Sequence, residues 1–119
     1  MTMGHRKVLV VEDDHLIREA IAEALDEEGF EVVEAANGRE ALEKLHQERT
    51  SLVLLDLMMP VMDGWQFRAA QLQDPEISDI PVVVLSAVKD EKVPADRHFS
   101  KPCDLDDLLD TVWEFTGGP

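Results

Sequence analysis

Three continuous apolar runs are spaced along the chain, and each ends in a residue with chemistry. Val8–Val11 runs into Glu12-Asp13-Asp14, Leu52–Leu55 into Asp56, and Val82–Leu85 into Ser86. Short unbroken runs of this kind suit strands buried on both faces. They predict a first strand at Lys7–Val11, a third at Ser51–Leu55 and a fourth at Pro81–Leu85. Glu31–Ala35 is more polar and predicts a second strand nearer an edge, and His98–Ser100 predicts a brief fifth. Between the strands the apolar spacing is helical. Leu16, Ile17, Ala20, Ile21, Ala24 and Leu25 form one stripe, stopped by Gly29. Ala41, Leu42 and Leu45 form a second, with Asn37 and Glu40 placed as a capping box. A third helix runs from Gly64 to about Gln73, offering Trp65, Phe67 and Ala70. A last one, capped by Asp104, carries Leu105, Leu108, Leu109, Val112, Trp113 and Phe115.

Strands alternating with helices predict an α/β fold with a parallel sheet, helices on both faces and right-handed crossovers. Five such units fit a flavodoxin-like doubly wound five-stranded sheet of order 2-1-3-4-5. The chain reads as one domain, residues 1–119, with its core at about 6–116. In that order the first and third strands are neighbours, so Glu12, Asp13 and Asp56 converge at the carboxyl edge. Ser86 and Lys101 end the fourth and fifth strands at the same edge.

Charge and cysteine content narrow the function. Twenty-six Asp and Glu against eleven Lys and Arg give a net charge of −15. That balance disfavours direct nucleic-acid binding, which rests on Lys and Arg. Cys103 is the single cysteine, so no internal disulfide forms and a cytoplasmic location is expected. No apolar stretch approaches ~20 residues, so no membrane span is expected. The amino-terminal Met-Thr-Met-Gly-His-Arg-Lys is followed by no apolar segment long enough for a signal peptide.

Three converging carboxylates repel one another unless a cation or protons intervene. Mg²⁺ takes one or two carboxylates, water and phosphate oxygens, and Glu12, Asp13 and Asp56 supply such ligands. Helix capping is the competing use of the acidic triplet, and it falls to Asp14. A carboxylate beside Mg²⁺ can attack a phosphoryl group and form an acyl phosphate. The charge that develops can be met by the metal, by the Lys101 ammonium and by the Ser86 hydroxyl. Singly, Lys101 reads as a surface lysine and Ser86 as a loop hydroxyl; the set together reads as a site.

Four motifs stand in order at strand ends: Val-Val-Glu-Asp-Asp, Leu-Asp-Leu-Met-Met-Pro-Val-Met-Asp-Gly, Leu-Ser-Ala and Ser-Lys-Pro. In these the chain resembles, over nearly its whole length, the receiver domain of two-component response regulators, the CheY-like superfamily. The resemblance implies that Asp56 is the phospho-acceptor. Asp13 would bind Mg²⁺ directly (Mn²⁺ as a substitute), Glu12 mainly through water, and Met58 through its backbone carbonyl. Lys101 would pair with Asp56 or its phosphoryl group, and Ser86 would reorient toward the phosphoryl oxygen as a switch residue. Pro60 and Asp63-Gly64 would shape the loop, and Lys101-Pro102 would be cis. A histidine kinase or phosphotransfer protein would be the donor, with an unnamed protein target downstream and a weak or phosphorylation-dependent dimer. The domain would transfer phosphate to itself and lose it slowly, without being a turnover enzyme.

The chain departs from the pattern in two places. Only fifteen positions separate Ser86 from Lys101, where receivers usually carry a fourth helix and a small-residue turn. That helix is expected to be short or absent, which puts the family's usual dimer face in doubt. The switch aromatic, three residues before the lysine, is replaced by His98, while Phe99 is expected in the core. Met58 and Val88, each two residues past a site residue, are apolar and cannot orient water, so slow self-hydrolysis is expected. Two other functions compete. A phosphatase of the haloacid-dehalogenase type needs a second Asp where Met58 stands and room for a cap domain. A pseudo-receiver or scaffold acting without phosphorylation would not need the full site. Output is expected through protein contact, or through a longer protein of which this chain is a part.

Overall fold

The computed structural model describes residues 6–88, 90 and 92–119. The amino-terminal lead-in, and Lys89 and Glu91 of the polar stretch after the fourth strand, lie outside the described residues. In chain order the elements are β1 (Lys7–Val11), α1 (His15–Glu28), β2 (Glu31–Ala35), α2 (Gly38–Gln47) and β3 (Leu52–Leu55). They continue with α3 (Gly64–Leu72), β4 (Val82–Ser86), β5 (Arg97–Ser100) and α4 (Leu105–Thr116). All strand pairs are parallel and the order is β2-β1-β3-β4-β5, as the alternation predicts. The polar strand β2 lies at an edge.

The apolar runs are continuous because both faces of the sheet are covered. Leu9, Val11, Val53, Leu55 and Val84 face one side, packed with Ala41, Leu45 and Phe67 from α2 and α3. Val8, Val10, Leu52, Leu54, Val83 and Leu85 face the other, packed with Ile21 and Leu25 of α1 and Leu108 and Val112 of α4. Each such side chain, fully buried, contributes roughly 1.5–3 kcal/mol from apolar burial. Phe99 packs partly buried against the second layer, in keeping with a core role.

The helix ends follow the sequence signals. Asp14 caps α1 by accepting from the Ile17 N–H, and Gly29 closes it at φ 100°. Asp104 accepts from Asp106 and Asp107 at the start of α4, and Gly117 closes that helix at φ 80°. Three details differ from the expectation. Leu16 and Ile17, in the first turn, stand outside the buried stripe of α1, 75% and 39% exposed. Glu40 does not close a box on Asn37; its Oε1 accepts from the Ala36 N–H, one residue earlier, while Asn37 Oδ1 accepts from Glu40 N–H. A complete capping box forms instead on α3, between Asp63 and Gln66.

Between β4 and β5, among the described residues, no helix is present. The helix labelled α4 is the one after β5. Among those residues, too, no helix is long and apolar enough to cross a membrane.

Candidate functional site

The carboxyl edge of the sheet collects five of the residues singled out in the sequence. Parallel register aligns Val11 with Leu55, so the residues that follow, Glu12 and Asp56, leave adjacent strand ends. Main-chain bonds extend the ladder past the strands: Asp56 N–H donates to Val11 O at 2.9 Å and Glu12 N–H to Ala35 O at 3.0 Å. Lys101 N–H donates to Ser86 O at 3.0 Å, which brings the lysine beside β4. The Lys101-Pro102 peptide is cis.

Glu12 and Asp56 are buried and Asp13 is exposed. One carboxylate oxygen from each lies within 4.8 Å of the others. The donor set is all oxygen and open to solvent on the Asp13 side, which fits a hard divalent cation. Lys101 Nζ lies 2.5 Å from Glu12 Oε2 and 3.6 Å from Asp56 Oδ1, so one ammonium bridges the two buried acids. The shorter of its two contacts is to Glu12.

Burial holds the Glu12 carboxyl above its ordinary pKa, against the pull of Lys101 and with the nearby charge of Asp56. Burial does the same to Asp56, opposed by Lys101 and by the Met58 N–H and reinforced by Asp13. Burial would lower the Lys101 pKa, but bonding to Glu12 and the charge of Asp56 outweigh it, and the lysine is held above its usual range. The edge is an electrostatic compromise: too many negative groups for the positive charge present.

The remaining positions frame these three. Ser86 is buried, and its Oγ accepts from the Val88 N–H at 3.1 Å. The Met58 N–H lies 3.5 Å from Asp56 Oδ1, and the Met58 side chain is exposed. His98 sits on β5 opposite Val84, exposed, with Nε2 3.0 Å from the Val93 carbonyl oxygen.

Two further residues support the site: Arg18, which carried no clear signal in the sequence, and Gly64, expected with Asp63 to shape the loop. Arg18 Nη1 donates to the Glu12 carbonyl oxygen at 2.7 Å and its Nε to Glu34 at 3.2 Å, tying α1 and β2 to the end of β1. Gly64 seats α3 against the site: a Cβ there would stand 2.5 Å from Asp56 O and 2.7 Å from Leu57 Cα. Its place after Asp63, in a Pro/Gly loop, hinted at a turn but not at this approach. The loop between them contains a γ-turn, in which Met62 N–H donates to Pro60 O at 2.8 Å around Val61 at φ 67°.

A doubly wound sheet with an acidic cluster, a lysine and a hydroxyl at its carboxyl edge defines a class of phosphoryl-responsive signalling domains. The chain belongs to the response regulator receiver domain family, which it matches over residues 8–113. It is 34% identical to sporulation initiation phosphotransferase F of Bacillus subtilis, over 95% of each chain. It is 42% identical to response regulator RR06 of Streptococcus pneumoniae over 82% of its own length, and spans only 47% of that protein. Among solved structures, chemotaxis protein CheY4 of Vibrio cholerae superposes with a TM-score of 0.86 at 31% identity, covering 94% of this chain and 99% of that one. The fold, the family and its phosphorylation-based signalling are thereby shown.

Proposed function

We propose that Asp56 is the phospho-acceptor of a two-component or phosphorelay system and that the whole chain acts as one receiver domain with its core at about 6–116. The observation that carries this reading is a buried Asp56 carboxylate within 3.6 Å of the Lys101 ammonium and clustered with Glu12 and Asp13. The donor is the phosphohistidine of a histidine kinase or phosphotransfer protein. Asp56 attacks phosphorus through one carboxylate oxygen. The new P–O bond forms as the P–N bond breaks, and its electron pair leaves on the imidazole nitrogen. Lys101 meets the charge on one phosphoryl oxygen, and the Ser86 hydroxyl turns from Val88 to donate to another.

Asp13, Asp56 and the Met58 carbonyl would hold Mg²⁺, with Glu12 assisting mainly through water and Mn²⁺ able to substitute. When bound, the ion supplies positive charge to the phosphoryl oxygens. The domain modifies itself rather than turning over a substrate. Met58 and Val88, both with exposed side chains, leave water unoriented, so the acyl phosphate hydrolyses slowly. Output passes through contact with a downstream protein, with His98 on the responding face.

The test is incubation with Mg²⁺ and acetyl phosphate followed by intact mass. One added phosphoryl group is expected on the wild type and none on Asp56→Asn. An unmodified wild type would favour a pseudo-receiver that acts without phosphorylation.

A further inference from the structure

The connection after β4 is fastened differently at its two ends. Near the site it is held by one hydroxyl, the Ser86 Oγ that accepts from Val88 N–H at 3.1 Å. Two residues on, Asp90 Oδ2 accepts from the Trp65 indole N–H at 2.9 Å. That indole bond holds the Asp90 carboxyl below its ordinary pKa, aided by the Lys92 N–H, so the acceptor is ionised at neutral pH. The far end is held by Arg68, whose Nε donates to Pro94 O at 2.6 Å, and by Val93, which is buried.

Both partners of the indole bond have close ties to the site. Trp65 follows Gly64, whose backbone is seated on the Asp56 carbonyl. Asp90 follows, by two residues, the Val88 N–H that Ser86 holds. A serine hydroxyl moves by rotation about a single bond between staggered wells. The Arg68 contact to Pro94 is charge-assisted and comes from a buried side chain, and so opens at greater cost.

We propose that the Trp65–Asp90 hydrogen bond is a latch that opens when Asp56 is phosphorylated. As the Ser86 hydroxyl turns to the phosphoryl group, the Val88 N–H loses its acceptor. The carboxylate of Asp90 then withdraws from the indole, while the Arg68–Pro94 contact stays closed as the hinge. Opening exposes Trp65 in the shallow groove of about 280 Å³ that it lines with Leu72, Val93 and Pro94. This rests on Asp56 as the phospho-acceptor and on Ser86 as the group that meets the phosphoryl oxygen. It adds a readout on α3, in a chain with no helix between β4 and β5 among its described residues.

The chain has two tryptophans, so Trp113→Phe isolates Trp65. Treating that protein with Mg²⁺ and acetyl phosphate, with intact mass read in parallel, should shift Trp65 emission to longer wavelength. Acrylamide quenching should rise in proportion to the phosphorylated fraction. In Trp113→Phe/Asp90→Ala, phosphoryl incorporation should reach at least the level of the parent, with Trp65 already red-shifted and unresponsive. Should Trp113→Phe fail to fold, 5-fluorotryptophan in the natural sequence gives a resonance for each indole. Trp65→Phe then assigns them, and the Trp65 resonance should move on phosphorylation. Full phosphoryl mass with an unchanged Trp65 signal overturns the latch alone. Absence of phosphoryl mass overturns the phospho-acceptor reading and the latch with it.

Discussion

The carboxyl edge and the β4–β5 connection are held together by different means. At the edge, Glu12, Asp56 and Lys101 are placed by main-chain bonds that continue the sheet: Asp56 to Val11, Glu12 to Ala35, Lys101 to Ser86. In the connection, side chains span the gap. Arg68 reaches Pro94 and Gln71, Trp65 reaches Asp90, and the Asp96 carboxylate accepts from the Val82 N–H. Geometry built on main-chain register survives a change of side chain. Geometry built on side chains is lost with one substitution, yet its loss need not disturb the chemistry next door.

Arg68→Ala is the strongest way to break that contrast. It removes charge-assisted bonds to the Pro94 carbonyl and to Gln71 Oε1, a buried side chain whose NH₂ is already committed to Ile77 O and Ile80 O. Hydrogen bonds to charged groups are worth roughly 1.5–3 kcal/mol each, set against the desolvation that already lowers the Arg68 pKa. A net loss of about 3 kcal/mol by urea denaturation is expected, with phosphoryl incorporation at Asp56 kept. Incorporation falling in step with stability would show that the two regions are one unit.

Gly64→Ala tests the other side. The new Cβ would meet Asp56 O and Leu57 Cα, which are backbone atoms and cannot swing aside. Overpacking costs typically about 1–3 kcal/mol, and here the strain falls on the residue proposed to attack phosphorus. Incorporation should therefore slow more than stability alone explains, judged by rates measured well below the melting temperature. A variant as fast as the wild type would mean that Asp56 tolerates movement of its own backbone.

Legibility in the sequence followed the same division. Strand order and the convergence of Glu12, Asp13 and Asp56 could be read from apolar runs, because burial on both faces leaves a plain pattern. Arg68 and Gln71 could not. Polar residues three apart on a helix read as a solvated face, and only the short connection above them turns that face inward. Trp65 was read for its ring, whereas its N–H makes the contact with Asp90. The Asp63–Gln66 box stands at cap spacing, and Asn37 caps α2 as its spacing to Glu40 predicts, although the Glu40 carboxylate reaches back to the Ala36 N–H and not to the Asn37 N–H. A Cβ on Gly64 or Gly38 would stand 2.5 or 2.9 Å from neighbouring backbone, a closeness no local pattern announces.

Asp56→Asn sharpens the electrostatic part of the comparison. The folded Asp56 carboxyl has a raised pKa, chiefly through burial, so the folded chain holds that proton more tightly than the unfolded chain. Stability therefore falls as pH rises from the unfolded pKa through the folded one, and the full cost is present above both. Removing the charge should stabilise the protein at pH 7 by on the order of 1–2 kcal/mol, as expected for a buried group poorly compensated by its partners. The gain should shrink as the pH is lowered through that window, measured by urea midpoints of the two proteins. An Asn variant less stable than the wild type at pH 7 would show that Lys101 compensates Asp56 more fully than its 2.5 Å contact with Glu12 suggests.

The smallest effect lies in the loop between Asp56 and Gly64. Val61 holds φ 67° at the centre of the Pro60–Met62 γ-turn and is 75% exposed. A β-branched residue in that region is strained, by roughly 1–3 kcal/mol, and exposure means little packing is lost on truncation. Val61→Gly relieves the strain, at a cost of about 0.5–1 kcal/mol in added chain entropy. A net gain of about 1 kcal/mol is expected in urea denaturation, with phosphoryl incorporation unchanged. Val61→Pro must do the opposite, because the ring holds φ near about −65° and cannot enter the turn. If glycine brought no gain while proline was still rejected, the strain would be relieved elsewhere in the loop. The loop would then resemble the edge, its shape imposed by flanking main-chain bonds such as Gly64 N–H to Leu57 O, and not the connection.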